Sequence, residues 1–490
     1  MAGGTDRPPL HTGLLQKLKG DVPPDWLSCS IFKVPKHLRR ISELAYEPQV
    51  VSIGPYHHGK DQLKKMEAYK MLYLKRLLER RPEVSLEDYV KALKVKEKEA
   101  REFYSEPLNH IGGEKFVEMM LLDGCFIIQL IREIAMDKNE LPGTDIILSR
   151  ATLDLLLVEN QLPFFILLLL FDMTGMSNDH FMAMAIKFFS KIIPRFLAMN
   201  QKDINHFLQK KKKEDIKHLL GLVHDCWTFS SDGCKVHIPH SPGYPESPEE
   251  VRSLSPEAKP PEPLEELRLP LLKAMDIPNS SLCQLSEEDA ISMAAAFETP
   301  STATDWKEWR LIRSATGLSE SGIIFKKGEG RLFDIKFENG VMSIPTLRID
   351  DHTESILRNL VAYEQCFKGA SSKCFTNYIT FMDRLINTGK DVQLLSHNGV
   401  IDNWLGDHDV VANMFNKLRD CVLISKDFSY ADTFKRVNEH CDRKWNQWMA
   451  NLRHNYFNNP WAAISFFAGI FLLLLTVLTS VISVLSYLFN

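Results

Sequence analysis

The chain has 490 residues, a formal net charge of −4 and 44% hydrophobic residues. That length gives room for two or three domains with large cores. The near-balanced charge excludes the broad basic footprint of a nucleic-acid binder, and nine scattered cysteines without a CxxC pair read as reduced thiols, not as a disulfide framework.

Residues 1–28 contain Pro8, Pro9, Pro23 and Pro24 and no apolar core of the kind a secretory signal needs, so a flexible leader is expected there. A helical region is expected over 29–238. Met66, Tyr69, Leu72, Tyr73 and Leu77 recur at helical spacing, and Pro82 closes that segment. Phe116, Met120, Ile127, Leu130, Ile131 and Ile134 signal a second helix. The stretch TLDLLLVENQLPFFILLLLF, 152–171, reads as a third; its apolar part from Leu162 to Phe171 is too short to span a bilayer and is expected to be a fully buried core helix. Phe181 to Leu197 gives a fourth, ending near Pro194. The basic run Lys210 to Lys213 is followed by Glu214 and Asp215 and reads as a solvated face.

Composition changes between 239 and 263, where proline and acid dominate and hardly any residue could fill a core. A disordered loop is expected, with Ser241, Ser247 and Ser255 each preceding a proline. A second helical region is expected over 264–453, with a β-hairpin near 331–347. There Phe333, Ile335 and Phe337 alternate with charged residues, Asn339-Gly340 favours a two-residue turn, and Met342 and Ile344 fall opposite Phe337 and Ile335. Helices are expected at Ile356–Phe367, Asn377–Ile386 and His408–Ile424. The last carries an apolar stripe of Val410, Val411, Met414, Phe415, Leu418, Cys421 and Val422. Phe434, Val437, Cys441, Trp445, Trp448 and Leu452 continue at steps of three or four, as a helix packing on its own domain would.

Residues 461–489 contain no charged residue and are saturated with Leu, Ile, Val and Phe. About 20 such residues span a bilayer core, so a transmembrane helix is expected, with Trp461 and Tyr487 at the two interfaces. Lys435, Arg436, Arg443, Lys444 and Arg453 precede it, which places the polar domain on the cytosolic side. The length of the run fits a thick membrane such as the plasma membrane. The sequon at Asn279 gives no ground for a secreted domain. Ser465, Gly469, Thr476, Ser480 and Ser483 share roughly one face and offer a route to a homodimer in the membrane.

No P-loop, GxGxxG after a strand, HExxH, GxSxG or kinase signature occurs. His57-His58 lies in SIGPYHHG, a Gly/Pro-bounded turn with no metal partners at ligand spacing, so a structural loop is expected and no metal or cofactor. Asp123 and Glu159 lie within apolar helical patterns. Such carboxylates are costly to bury unless paired; helix caps, backbone groups, Arg132 or Arg150 are the expected partners, and a pKa-shifted catalytic pair is the alternative. Cys366 has Glu364 beside it but no evident base, and reads as a core thiol.

The segments IFKVPKHLRRISELAYEPQVVSIGPYHHG, MLLDGCFIIQL, DLLLVENQLPFFIL, LRNLVAYEQC, YITFMDRLINTGKDVQLLSHNGVI and FNNPWAAISFFAGIFLLLLTVL resemble the plant family known as domain of unknown function 247, from about Cys29 to the C-terminus. The resemblance implies a plant source, a mostly helical domain and one C-terminal membrane helix. It supplies no catalytic residues. Some grass members are implicated in pollen–stigma self-incompatibility, which implies recognition or signalling. The expected function is therefore that of a membrane-anchored interaction or signalling protein without catalysis, with an unidentified protein partner. The alternative is an enzyme of unrecognised type with a pocket near Asp123 and Glu159.

Overall fold

The computed structural model describes residues 29–136, 145–176, 178–193, 201–229, 312–367, 373–423, 428–442 and 460–488. The leader, the loop at 239–263, Asn279, Pro194, Trp445, Trp448 and Leu452 lie outside them. The described residues belong to one compact unit, interrupted in sequence by 237–307.

Local chemistry sets the first helices. α1 (Lys36–Arg39) is one turn started by Pro35, and α2 (Lys65–Arg80) turns Met66, Tyr73, Leu74 and Leu77 inward. α3 (Leu86–Glu102) begins at a reciprocal cap: the Asp88 N–H donates to Ser85 Oγ at 3.2 Å and the Ser85 N–H to Asp88 Oδ2 at 3.0 Å. α4 (Gly113–Ala135) buries residues around its whole circumference from Met119 onward, since it packs against α2 and α3 and against two later helices, α6 and α7 below. It is the axis of the N-terminal half.

The expected third helix is two helices. α5 (Asp145–Asp154) stops, residues 155–163 are not regular helix, and α6 (Phe164–Asp172) restarts after Pro163. Proline has no N–H and pushes the preceding residue out of the helical region, so the apolar run could not continue through it. α6 is also one-sided. Phe164, Ile166, Leu167, Leu170 and Phe171 are buried, while Phe165, Leu168 and Leu169 are partly exposed. α7 (Asn178–Ile192), α8 (Gln201–Lys210) and α9 (Leu219–Thr228) follow, and α7 stops before Pro194 as expected. In the basic run Lys210 and Lys212 are exposed, while Lys211 pairs with Asp225 at 2.7 Å.

The second half starts with α10 (Ala315–Glu320) and β1 (Ile324–Gly328). β2 (Lys336–Glu338) and β3 (Val341–Pro345) form the expected hairpin, with Phe337 opposite Met342 and both buried. Asn339 and Gly340 take φ of 50° and 79°, the left-handed pair that a tight hairpin requires. Two parallel pairings were not legible. β1 joins the other side of β3, with Phe325 opposite Met342, and β4 (Leu347–Ile349) pairs with β5 (Ile401–Asn403). Strands of three to five residues carry too little alternation to announce themselves.

Between β4 and β5 run α11 (Thr353–Cys366), α12 (Cys374–Leu385) and α13 (Gly389–His397), and after β5 come α14 (His408–Arg419) and α15 (Ala431–Asp442). α13 was not expected; a Thr388/Asp391 capping box starts it. α14 ends five residues early because Cys421 adopts φ 61°, a left-handed residue that terminates a helix. The expected stripe shortens with it: Val411, Met414, Phe415 and Leu418 are buried, whereas Val410 and Cys421 are exposed. Phe434, Val437 and Cys441 of α15 are buried, and the helix packs on β2.

α16 (Pro460–Leu488) is a single helix. Its segment Ile464–Ser483 has mean hydropathy 2.4 and none of it is buried. It is long and apolar enough to cross a membrane.

Candidate functional site

Residues 155–163 pass through the interior without a helical ladder, so their backbone and side chains must find partners elsewhere. They do so with groups far away in sequence. The Val158 N–H donates to Asn359 Oδ1 at 2.9 Å. Asn160 accepts from the Ile53 N–H at 2.7 Å and donates to the Val51 and Asp154 carbonyls. Gln161 donates to the Leu155 and Leu157 carbonyls and accepts from the Leu220 N–H at 3.2 Å. The segment acts as a polar hub that ties the loop at 33–57 to α9 and α11.

Glu159 belongs to this hub. Its Oε1 accepts from the Val34 N–H at 2.6 Å and its Oε2 lies 2.6 Å from Arg39 Nη2. The buried ring of His57 sits between two carboxylates, 3.3 Å from Glu159 and 3.6 Å from Glu47. Glu47 is bound in turn by Arg39 at 2.8 Å and by Lys60. Burial raises the Glu159 carboxyl, but His57, Arg39 and the Val34 N–H outweigh it, and the group ends below its ordinary range.

Asp123 holds the same Gly/Pro turn from the other side. It lies 2.6 Å from the fully buried Lys70 and accepts the Gly54 N–H at 2.8 Å. Lys70 also donates to the Ser52 carbonyl at 2.7 Å and to Glu67 at 2.7 Å. Burial disfavours the Lys70 charge, yet Asp123 and Glu67 overcome it and hold the ammonium above its usual pKa. Burial also pushes Asp123 up, against the pull of Lys70. We take the pair as ionic, since Lys70 has three oxygen partners at 2.6–2.7 Å. Gly54 allows the close approach: its φ is 70°, and a Cβ there would meet the Gln161 carbonyl oxygen at 2.5 Å.

Both carboxylates are therefore paired, as expected, but Arg132 and Arg150 are not the partners; Arg150 donates to Gln49 at 2.9 Å. The sequence reading missed a second buried system. The His224 ring lies 2.9 Å from Glu364 and 3.3 Å from Asp225, and these carboxylates, against the effect of burial, raise its pKa to about 9. Glu364 also accepts the Phe375 and Thr376 N–H groups at 2.9 and 2.8 Å, joining α9, α11 and the start of α12. With Glu364 so engaged, Cys366 has no base, and burial pushes its thiol up to about 12. Six cysteines in the described residues are free, as expected. Cys374 is not: it is disulfide-bonded, which corrects the expectation of reduced thiols at that position.

A cleft of about 290 Å³ opens among Glu47, Gln49, Arg150, Asp154, His352 and Asn359. Its polar groups are largely engaged. Asp154, which burial pushes up to about 6, accepts three N–H groups, from Gln49, Val50 and Val51, and Asn359 donates to the Ala45 carbonyl. Neither Asp123 nor Glu159 lines it. Among the described residues no group of three His, Cys, Asp or Glu side chains could hold a metal ion.

A mostly helical unit and an apolar terminal helix are structural features that the resemblance implies. The family model described as plant protein of unknown function, DUF247, matches residues 31–475. The chain belongs to this family. Two Arabidopsis thaliana relatives align with it along most of both lengths. UPF0481 protein At3g47200 is 31% identical over 477 residues, covering 94% of this chain and 87% of its own. Putative UPF0481 protein At3g02645 is 24% identical over 491 residues, covering 92% and 89%. No solved structure matches. In this DUF247 chain four of the quoted motifs meet in the interior: the turn at Gly54–His57 touches Asp123 and Glu159, and the hub beside Glu159 is bonded to Asn359 of α11.

Proposed function

We propose that this DUF247 protein acts in protein interaction or signalling, without catalysis, while anchored by α16. The observation that carries the reading is α16 itself: 29 residues, uncharged, with its apolar segment unburied. The engaged state of Asp123, Glu159 and the cleft residues supports a scaffold over an enzyme, which would need polar groups converging on a cavity. We place the folded region in the cytosol, at the plasma membrane. The free thiols of Cys29, Cys125, Cys226, Cys366, Cys421 and Cys441 support that side, and the Cys374 bridge is the observation that runs against it. Recognition such as self-incompatibility is one role that this reading accommodates.

The membrane helix is also read as a homodimer face. Gly469 carries no side chain, which would let a second helix backbone approach closely there. The hydroxyls of Ser465, Thr476, Ser480 and Ser483 each donate to a carbonyl four residues back in their own helix. Packing, more than interhelical hydrogen bonds, would hold such a dimer. The test of the main reading is proximity labelling from the folded region in intact plant cells, with the α16 segment alone as control. Specific neighbours beyond the control are expected; a neighbour set identical to that of the anchor alone overturns an interaction role.

A further inference from the structure

The β4–β5 pair carries a surface feature that the hub does not use. The Trp404 side chain is 61% exposed, and the Arg348 guanidinium lies 3.5 Å from its ring centroid. Both are held by rigid backbone. Arg348 is opposite Asp402 in the parallel ladder, the Trp404 N–H donates to the Ile349 carbonyl at 2.9 Å, and the Leu405 N–H donates to Asn403 Oδ1 at 2.9 Å.

Among the described residues Arg348 has no carboxylate within 4 Å, and its Nε is buried with no acceptor. Three nearby carboxylates are engaged by other groups. Asp350 accepts from the His352 N–H and the Thr353 hydroxyl, Asp407 from the Asp409 N–H, and Asp409 from the Gly389 N–H. Stacking fixes the plane of a guanidinium, and with Nε buried the Nη1 and Nη2 groups are the pair left for a bidentate acceptor. Exposed Trp beside Arg is also the composition that dominates binding energy at protein interfaces.

We propose that Arg348 and Trp404 form a recognition site for an acidic peptide segment of a protein partner. The carboxylate of an Asp or Glu side chain is taken by the Arg348 edge, and a neighbouring apolar side chain covers the open part of the Trp404 ring. This rests on the interaction reading above and names the chemistry of the partner.

The test uses the detergent-solubilised full chain and a synthetic array of peptides that pair Glu with a flanking Leu. Each has a Gln counterpart and a phosphoserine counterpart. Glu peptides should bind, and their Gln counterparts should bind about tenfold or more weakly. Arg348→Gln and Trp404→Ala should each abolish that preference without moving the thermal midpoint, and Arg348→Lys should keep only part of it. Equal binding of Glu and Gln peptides overturns the site, as does a preference that survives in Arg348→Gln. Phosphoserine binding above Glu assigns the site to phosphate and overturns the carboxylate. Absence of any bound peptide also overturns the site, while neighbours found by proximity labelling would leave the broader interaction role standing.

Discussion

At the scale of single residues, two histidines on and beside α9 give this protein opposite responses to pH. His218 is buried with Nδ1 accepting the Gly221 N–H at 3.1 Å and Nε2 3.0 Å from the Ser30 carbonyl, so its neutral form is fixed. Burial lowers its pKa to about 4. Its contribution is complete above the unfolded value near 6.5 and is lost as pH falls toward 4. His224, raised to about 9, contributes fully below 6.5 and loses that contribution as pH rises through 9, on the order of 3 kcal/mol in total. Thermal midpoints from pH 4 to 10 should therefore fall at both ends. His224→Gln should flatten the alkaline limb and leave the acid one; an alkaline limb unchanged in that variant refutes the imidazolium assignment. Lys70→Met strands Asp123 in the interior and should cost about 3–5 kcal/mol in denaturant unfolding, whereas adding Asp123→Leu should recover much of the loss. A double variant no better than the single one would show that the pair is not the cause. That these carboxylates need partners was legible from their apolar settings. Which partners was not: Lys70 lies 53 residues before Asp123 and His224 lies 140 before Glu364, and no local spacing encodes such pairings.

At the scale of elements, what could be read depended on how local the cause is. Asn339-Gly340 announces its hairpin because both residues of the turn are adjacent. Pro163 announced a start, yet the apolar run on either side concealed the break before it, since the side chains of Glu159, Asn160 and Gln161 supply the missing order through distant loops. The end of α14 depends on one left-handed residue, Cys421, whose conformation no composition rule requires. α16 is the element with the simplest physics. It is about 43 Å long at 1.5 Å per residue, more than a hydrocarbon core of about 30 Å. Leu474→Arg places a charge near its centre and should cost about 2.5–3.5 kcal/mol of insertion. Alkaline extraction checks it: the variant should shift toward the soluble fraction, and full retention would mean that something besides α16 holds the chain to the membrane.

At the scale of the whole molecule, the anchoring proposed for α16 would set which compartment the folded region meets. With that region in the cytosol, protease added to sealed, right-side-out plasma-membrane vesicles should leave it intact. Digestion there, or a glycan at Asn279, places it on the other face and would give the Cys374 bridge an oxidising compartment.

The hub also has a consequence in time. The Ala45 carbonyl takes its hydrogen bonds from Ser355 and Asn359, 310 and 314 residues later in the chain. At synthesis rates of about 5–20 residues per second, the first partner waits roughly 15–60 seconds on the ribosome for the second. Through that interval Val158 lacks its acceptor, Glu364 has not yet reached His224, and α1 to α9 stand with an unfilled flank. The buried bonds of the N-terminal half are thus completed only once α11 has been made, so the two halves must finish folding together.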